Sequence, residues 1–253
     1  MKLQQRSSPV LKAVSLLEHV ARAVEPITLA ELSAAARLPK PTTHRLAARL
    51  ERAGLVAKDA LTRRYVVGAA LVDLGFEAIR NAPGRRSRRL ILERLSEKLG
   101  ETVNLAVLSG DEIVYLDRVE ASWPLRMDFK PGSRVPLHCT ANGKLLLAHA
   151  PAATREKLLR SLTLTAQTPR TMVGRPELER ELARIRQCGY SEDDEEFLAG
   201  VCCLAVPVRG RRRRIVAGLA VSAPSARFNL ARARAHIPDL MTAAEALGAQ
   251  FCE

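Results

Sequence analysis

Between Pro9 and Val67 the apolar residues fall at helical spacing three times, each run closed by a helix breaker, and the spacing then switches to that of a hairpin. Few folds accommodate that succession. In the first run Val10, Ala13, Val14, Leu17, Val20 and Val24 predict an amphipathic helix from about Pro9 to Ala23, with Pro26 ending or following it. Thr28-Leu29-Ala30-Glu31 has the form of a capping box, in which a hydroxyl and a carboxylate each satisfy a free amide at a helix start, and a short second helix is expected to about Arg37. Leu38-Pro39 turns the chain, Pro41 suits the first position of a third helix, and Gly54 stops that helix after Ala53. Thr43, Leu46, Ala47 and Leu50 share one of its faces, which leaves Pro41, Thr42, Arg45, Arg49 and Arg52 toward solvent. Leu55–Lys58 and Arg64–Val67 flank a polar tip with Asp59 and Thr62, the pattern of a β-hairpin. Three helices and a hairpin describe a winged helix-turn-helix.

Charge gives this segment a partner. Residues 37–64 hold eight basic side chains against Glu51 and Asp59, nearly half of the net charge of +13 in a chain of 253 residues. An excess serving solubility alone would be spread over the surface, whereas this density marks an electrostatic footprint for a nucleic-acid backbone. The third helix is narrow enough for a major groove about 12 Å wide, with its N-terminal residues at the base edges. Arg45 is the candidate for base readout, because a guanidinium donates twice to a guanine edge. Pro41 and Thr42 stand at the same end, with Thr42 suited to a phosphate or a thymine methyl. Lys40, Arg49, Arg63 and Arg64 read as phosphate contacts, and His44 on the helix flank either contacts DNA or packs. The expected partner is double-stranded operator DNA.

The remainder reads as an α+β domain. Leu71, Leu74 and Ile79 predict a linker helix from Ala69 to about Asn81, broken by Ala82-Pro83-Gly84, which places domains at 1–68 and 83–253 with a linker helix over 69–82. Leu90, Ile91, Leu95 and Leu99 predict a helix from about Arg86. Strands are expected over Thr102–Leu108, Ile113–Val119, Leu125–Phe129, Val201–Val208 and Ile215–Ser222. Helices are expected over Ala141–Ala148, Ala152–Leu162, Pro176–Cys188 and Leu230–Leu247, giving a mixed sheet with helices. Arg211 to Arg214 fall between two strands and read as an exposed hairpin tip. The backbone amides of Ala141 and Asn142, at a helix start, are placed to favour an anion such as a carboxylate.

Several stretches are similar to the IclR family of bacterial transcriptional regulators. Ser8-Pro9-Val10, Leu38-Pro39-Lys40-Pro41-Thr42-Thr43-His44-Arg45-Leu46 and Ala53-Gly54-Leu55-Val56 resemble its DNA-binding domain. Ala141-Asn142-Gly143-Lys144, Asp193-Asp194-Glu195-Glu196, Gly200 to Val208 and Val221-Ser222-Ala223-Pro224 resemble its effector domain, in the expected order. The resemblance implies an N-terminal winged helix-turn-helix, a linker helix and a C-terminal GAF-like mixed α/β effector-binding domain, assembled as a homodimer or a tetramer built from two dimers. It implies a ligand-responsive regulator of a catabolic or transport operon that senses a small carboxylate or aromatic acid. Repression is expected because many relatives repress; an activator or a ligand-independent architectural DNA binder are the alternatives, and the long second domain argues against the last. By the same resemblance Asp193, Cys203 and Ser222 fall at effector-lining positions, Asp193 as an acceptor for a ligand hydroxyl and Ser222 as a donor. Met127 and Val135 are candidates for the apolar wall. Two positions depart from the pattern, Pro41 where Ser is frequent and Ala220 where a second serine is frequent.

Other classes lack support in the residues. Cys203, His138 and Asp193 are the residue types of a nucleophilic triad, but the chain has no GxSxG, HExxH or GxGxxG, and Asn142-Gly143-Lys144-Leu145 lacks the remainder of a phosphate-binding loop. Five scattered cysteines without a CxxC pair suggest neither a disulfide framework nor zinc. No apolar run reaches the roughly 18 to 20 residues of a membrane span, and Met1 to Val10 has no apolar signal core, so a soluble cytoplasmic protein without catalytic residues, metal or cofactor is expected.

Overall fold

A computed structural model describes residues 8–23, 25–59, 62–80, 84–121 and 129–251, which divide into two compact units, Met1–Ile79 and Arg80–Glu253. Among the described residues no helix is long and apolar enough to cross a membrane.

The first unit consists of α1 (Pro9–Arg22), α2 (Leu29–Ala36), α3 (Lys40–Arg52), β1 (Val56–Lys58) and β2 (Tyr65–Val67), followed by α4 (Ala69–Arg80). Its core is Leu16, Val20, Leu32, Leu46, Ala47, Leu50, Val56 and Tyr65. On α1 the packed stripe runs through Ala13, Leu16, Leu17 and Val20; Val10 and Val14, expected to face inward, lie off that stripe and are exposed. The capping box forms as anticipated, with the Thr28 N–H donating to Glu31 Oε2 at 2.8 Å and the Glu31 N–H to Thr28 Oγ1 at 3.2 Å. Arg37 ends α2 in the left-handed region, at φ 52°. Ser33 Oγ, donating to the Leu38 carbonyl at 2.6 Å, holds the following turn. In α3 all four residues expected inward are buried. The hairpin pairs Val56 with Val67 and Lys58 with Tyr65, and Ile27 bridges to Tyr65 on the far side of β2. Gly68 is required where the chain leaves the hairpin, since a Cβ there would lie 2.1 Å from the Gly54 carbonyl oxygen.

The second unit contains α5 (Arg85–Leu99), β3 (Thr102–Ser109), β4 (Glu112–Val119), β5 (Arg134–Pro136), α6 (Ala141–His149), α7 (Ala152–Ser161), α8 (Arg175–Cys188), β6 (Ser191–Asp194), β7 (Val201–Arg209), β8 (Ile215–Pro224), α9 (Leu230–Ala235) and α10 (Ile237–Gln250). Its six strands run in the order β5-β4-β3-β8-β7-β6, and every pairing is antiparallel, so the expected mixed sheet is corrected to a uniformly antiparallel one. Gly218 approaches Asn142 of α6, so by strand alternation Ala220 and Ser222 also face α6, while Leu219 and Val221 face away. On the α6 side Leu145, Leu147, Leu178, Leu182 and Ile185 fill one core with Ala106, Ala205 and Ala220. α5 and α10 pack on each other and on the sheet.

Two further expectations are revised, two strands are added, and two expectations fall mostly outside the described residues. β5 and β6 are strands that periodicity did not indicate. Of the expected strand at Leu125–Phe129, residues 125–128 lie outside the described residues and Phe129 is not in a strand. The expected C-terminal helix is two helices, because Pro238 cannot continue α9 but suits the first turn of α10. On α5, Leu90 is exposed while Arg88 is buried. The helix break expected at Ala82-Pro83-Gly84 has its first two residues outside the described set, and Gly84 caps α5.

Candidate functional site

Among the described residues two features concern function, an exposed basic face in the first unit and a polar cleft in the second. On α3, Lys40, Pro41, His44, Arg45, Arg49 and Arg52 are exposed and Thr42 is half-buried. Burial of Thr43, Leu46, Ala47 and Leu50 fixes this side of α3 outward. Among the described residues Lys40, Arg45, Arg49 and Arg52 form no hydrogen bond or ion pair through their side chains, whereas Lys58 is held by Glu51 at 2.9 Å. The first turn of α3 has no acidic residue, so the positive end of its dipole adds to the field of Lys40 and Arg45. At the hairpin tip Asp59 Oδ1 accepts from the Thr62 N–H at 2.8 Å and hydroxyl at 2.9 Å, and Arg63, at φ 57°, follows in the left-handed region. Arg63 and Arg64 are exposed; Arg64 also donates to the Pro26 carbonyl at 3.4 Å. Of the DNA-contact candidates, Lys40, Pro41, His44, Arg45, Arg49, Arg63 and Arg64 are therefore exposed on α3 or the hairpin, and Thr42 is half-buried beside them.

The second feature is a cleft between the sheet and the start of α6. One polar row crosses its floor. Asp193 on β6 stands opposite Cys203 on β7, Cys203 opposite Ser222 on β8, and Asn104 on β3 opposite Ala220, two residues from Ser222. Above the row lies the start of α6, where Thr140 caps the helix by accepting from the Gly143 N–H at 3.1 Å. Among the described residues the N–H groups of Ala141 and Asn142 have no hydrogen-bond partner, and both residues line the cleft. Asn142 Oδ1 is buried without a partner, and Gly218 makes room for it, since a Cβ there would lie 2.3 Å from that oxygen. Tyr115, Phe129 and Phe197 supply apolar lining, with Phe129 centred 6.0 Å from each of the other two rings.

The carboxyl of Asp193 is 2% exposed, and burial together with the neighbouring Glu196 pushes its pKa up to about 7, against the pull of Lys144 and of the N–H groups of Glu196 and Phe197. Those N–H groups donate to Asp193 Oδ1 at 2.7 and 3.4 Å. Behind it Lys144, 1% exposed, donates to Glu196 and lies 3.9 Å from Glu181. Burial raises Glu196 in spite of Lys144. Burial and the nearby Asp193 hold the Cys203 thiol well above its ordinary range, so it stays protonated. His138 Nε2 lies 3.0 Å from the Thr165 carbonyl oxygen, and His138 does not line the cleft that Cys203 lines. Among the described residues Asp194, Glu195 and Cys202 lie close enough together to resemble a cation cage, but there the Cys202 thiol donates to Asp194 at 3.4 Å and its pKa is pushed up to about 12.

Five of the six effector candidates, Ala141, Asn142, Asp193, Cys203 and Ser222, thus line one cleft. Met127 lies outside the described residues. Val135 is not in the lining; it is buried in the core beside α6. Asn104, Tyr115, Thr140 and Phe197 line the cleft and were not anticipated, nor were Lys144 and Glu196 behind it. Lys144 did carry a signal, as the lone cation in the apolar helix Ala141–His149. Arg211, Arg213 and Arg214 are exposed at the turn between β7 and β8, as expected of a hairpin tip.

Comparison with known proteins gives concordant matches. The family described as IclR helix-turn-helix domain matches residues 9–60, and that described as Bacterial transcriptional regulator IclR C-terminal matches residues 76–249. The "Probable transcriptional regulator SauR" of Cupriavidus necator is 42% identical over 247 residues, 98% of each chain. The "Transcriptional repressor IclR" of Escherichia coli is 34% identical over 219 residues, 86% of this chain and 80% of the relative. A crystal structure of an IclR homolog complexed with 4-hydroxybenzoate, from Microbacterium hydrocarbonoxydans, superposes with a TM-score of 0.59 at 25% identity, covering 95% of this chain and 98% of that one.

Proposed function

The chain belongs to the IclR family of bacterial transcriptional regulators, and from that premise we propose that it is a cytoplasmic, ligand-responsive repressor of a catabolic or transport operon. Residues 1–68 bind operator DNA, residues 69–82 link, and residues 83–253 bind the effector. Arg45 reads a base edge, helped by Thr42 and Pro41 at the same end of α3, while Lys40, His44, Arg49, Arg63 and Arg64 engage the backbone. The effector is a small carboxylate or an aromatic acid, a reading supported by the related IclR homolog complexed with 4-hydroxybenzoate. Its acid group meets the Ala141 and Asn142 amides, and Asp193, Cys203 and Ser222 contact the rest, with Met127 on the apolar side. A homodimer, or a dimer of dimers, reads a palindromic operator.

The observation that carries this reading is the pair of N–H groups at the start of α6 that have no partner among the described residues and belong to residues lining the cleft. A helix start of this kind favours an anion. The test has two halves, using DNA from the region upstream of the gene and of its neighbours. Footprinting should show a protected palindrome on that DNA, and organic acids should then be titrated for an effect on affinity. A cognate effector should change operator affinity by about 5- to 150-fold, the usual range of such coupling, and should raise the melting temperature of the protein. If no acid moves either quantity, the sensor assignment is wrong.

A further inference from the structure

The polar row in the cleft has a defined hydrogen-bond direction. Arg118 on β4 is 5% exposed, and its Nη1 donates to Asn104 Oδ1 at 2.6 Å, while Asn104 Nδ2 donates to Ser222 Oγ at 2.9 Å. The register places Asn104 opposite Arg118 on one side and opposite Ala220 on the other. An asparagine amide is ordinarily ambiguous, because its oxygen and nitrogen occupy nearly the same shape. Here the neighbour decides: a guanidinium has only donors, so the amide oxygen must face Arg118 and the NH₂ must face Ser222 and the cleft. Ser222 accepts from that NH₂, which turns its single proton away from Asn104 and toward the Cys203 and cleft side. Among the described residues only one hydrogen bond uses Asn104 Nδ2, so its second N–H is available. Glu120, 3.6 Å from Arg118 Nε, balances the buried guanidinium from outside the cleft, and the Phe129 ring lies 5.9 Å from its Cζ.

We infer that Asn104 is a specificity-determining residue of this cleft, presenting an N–H to an acceptor oxygen of the ligand, and that Arg118 is the positioning residue that fixes this polarity without touching the ligand. The inference rests on reading the cleft as the effector site. It sharpens the ligand class to acids that turn acceptor oxygens toward the β3 and β8 wall, and it disfavours their amide counterparts, which bring N–H groups to a wall already made of donors. Arg118 carries the positive charge that makes the arrangement stable, so its removal acts through the orientation of Asn104.

The test uses the full chain and two acid–amide pairs of matched shape, acetate with acetamide and 4-hydroxybenzoate with 4-hydroxybenzamide, with dissociation constants read by ligand-observed NMR or calorimetry. Wild type should bind the acid of at least one pair tighter than its amide by about tenfold or more, the scale of hydrogen bonds to a charged group. Asn104→Asp is nearly isosteric and keeps the Arg118 contact, but a carboxylate only accepts, so Ser222 must now donate to it. This variant should lose about tenfold or more of the acid preference, with amide affinity rising as acid affinity falls, because the amide N–H then meets an acceptor. Arg118→Met frees the amide to rotate and should bring the acid-to-amide ratio toward one; Arg118→Lys, which returns a donor to Asn104 Oδ1, should restore most of it. Should Arg118→Met fail to fold, Asn104→Asp decides alone. An unchanged acid preference in Asn104→Asp overturns this inference and leaves the effector assignment standing. Failure of wild type to bind any of the four probes overturns the effector assignment for such acids, and this inference with it.

Discussion

The two units place their polar side chains in opposite ways. In the N-terminal unit the buried polar side chains among the described residues are Ser33 and Thr43, both short and both returning a hydrogen bond to the local backbone, and its arginines and lysines lie outside the core. In the C-terminal unit Arg88, Asn104, Asp117, Arg118, Lys144, Glu192, Asp193 and Glu196 are all buried. A polyanion is attracted at long range by charges that remain in water, where folding them costs little. A small ligand has to be met by dipoles already aimed and already stripped of water, and groups held that way are expensive unless each has its partner. The difference teaches where each unit is vulnerable: loss of a charge weakens binding in the first and weakens the fold in the second.

Lys144 is the strongest way to probe that contrast. It donates to the buried Glu196, and Lys144→Met leaves that carboxylate without its cation, whereas Glu181 keeps Arg184 at 2.7 and 2.8 Å; the cost should be about 3 to 5 kcal/mol by chemical denaturation. Adding Glu196→Gln to that variant should recover more than half of the loss, because the uncompensated charge is removed along with its partner. Lys58→Ala is the matching change in the N-terminal unit, at a more exposed pair with Glu51, and should barely move the denaturation midpoint. Equal losses from the two would erase the distinction between interior and surface charge.

Asp193 extends the contrast to pH. Its carboxyl ionises at about 7 in the folded chain, against about 3.9 for an unfolded aspartate. Between those values the folded chain keeps a proton that the unfolded chain has lost, so this group's stabilising contribution is full below about pH 4, falls as pH rises toward 7, and is gone above that. The slope from one proton is at most about 1.4 kcal/mol per pH unit, and Asp193→Asn should flatten it by that amount in denaturation curves taken across this window. In the N-terminal unit Glu31 has the opposite sign: the Thr28 N–H and hydroxyl pull it below the ordinary carboxylate range, so its contribution is lost as pH falls. If wild type and Asp193→Asn kept the same pH dependence, the buried carboxyl would not be the one that titrates.

What was legible in the sequence follows the same division. Breakers and helical stripes are local signals, so the three helices, the hairpin and the outward face of α3 could be read directly; the error on α1, where Leu16 packs in place of Val10 and Val14, is a rotation of the stripe. In the C-terminal unit the partners are remote: Asn104 meets Ser222 across 118 residues and Lys144 meets Glu196 across 52, and no window along the chain spans either pair. Ser191-Glu192-Asp193-Asp194 carries no apolar alternation to mark a strand, yet β6 pairs with β7 and lies against α6, which buries three of its four residues. Family resemblance, and not periodicity, pointed to Asp193, Cys203 and Ser222. It could not point to the hydrogen bonds that hold Ser222 in place.

The smallest effects separate readout from attraction within the N-terminal unit itself. Arg45 lies on the outer face of α3 with no internal partner, and Arg63 follows the tip of the hairpin. Arg45→Ala should cost about 1 to 3 kcal/mol on the operator, relax the preference at one base position, and leave binding to random duplex nearly intact. Arg63→Ala should weaken binding to both DNAs alike and lower the slope of log affinity against log salt by about 1, the signature of one lost phosphate contact. Filter-binding titrations of both variants on operator and random DNA at several salt concentrations would measure all four quantities. Identical losses for the two arginines on the two DNAs would mean that α3 only attracts the backbone, and the base-reading residue would then have to be sought elsewhere on that face, first at Thr42 and His44.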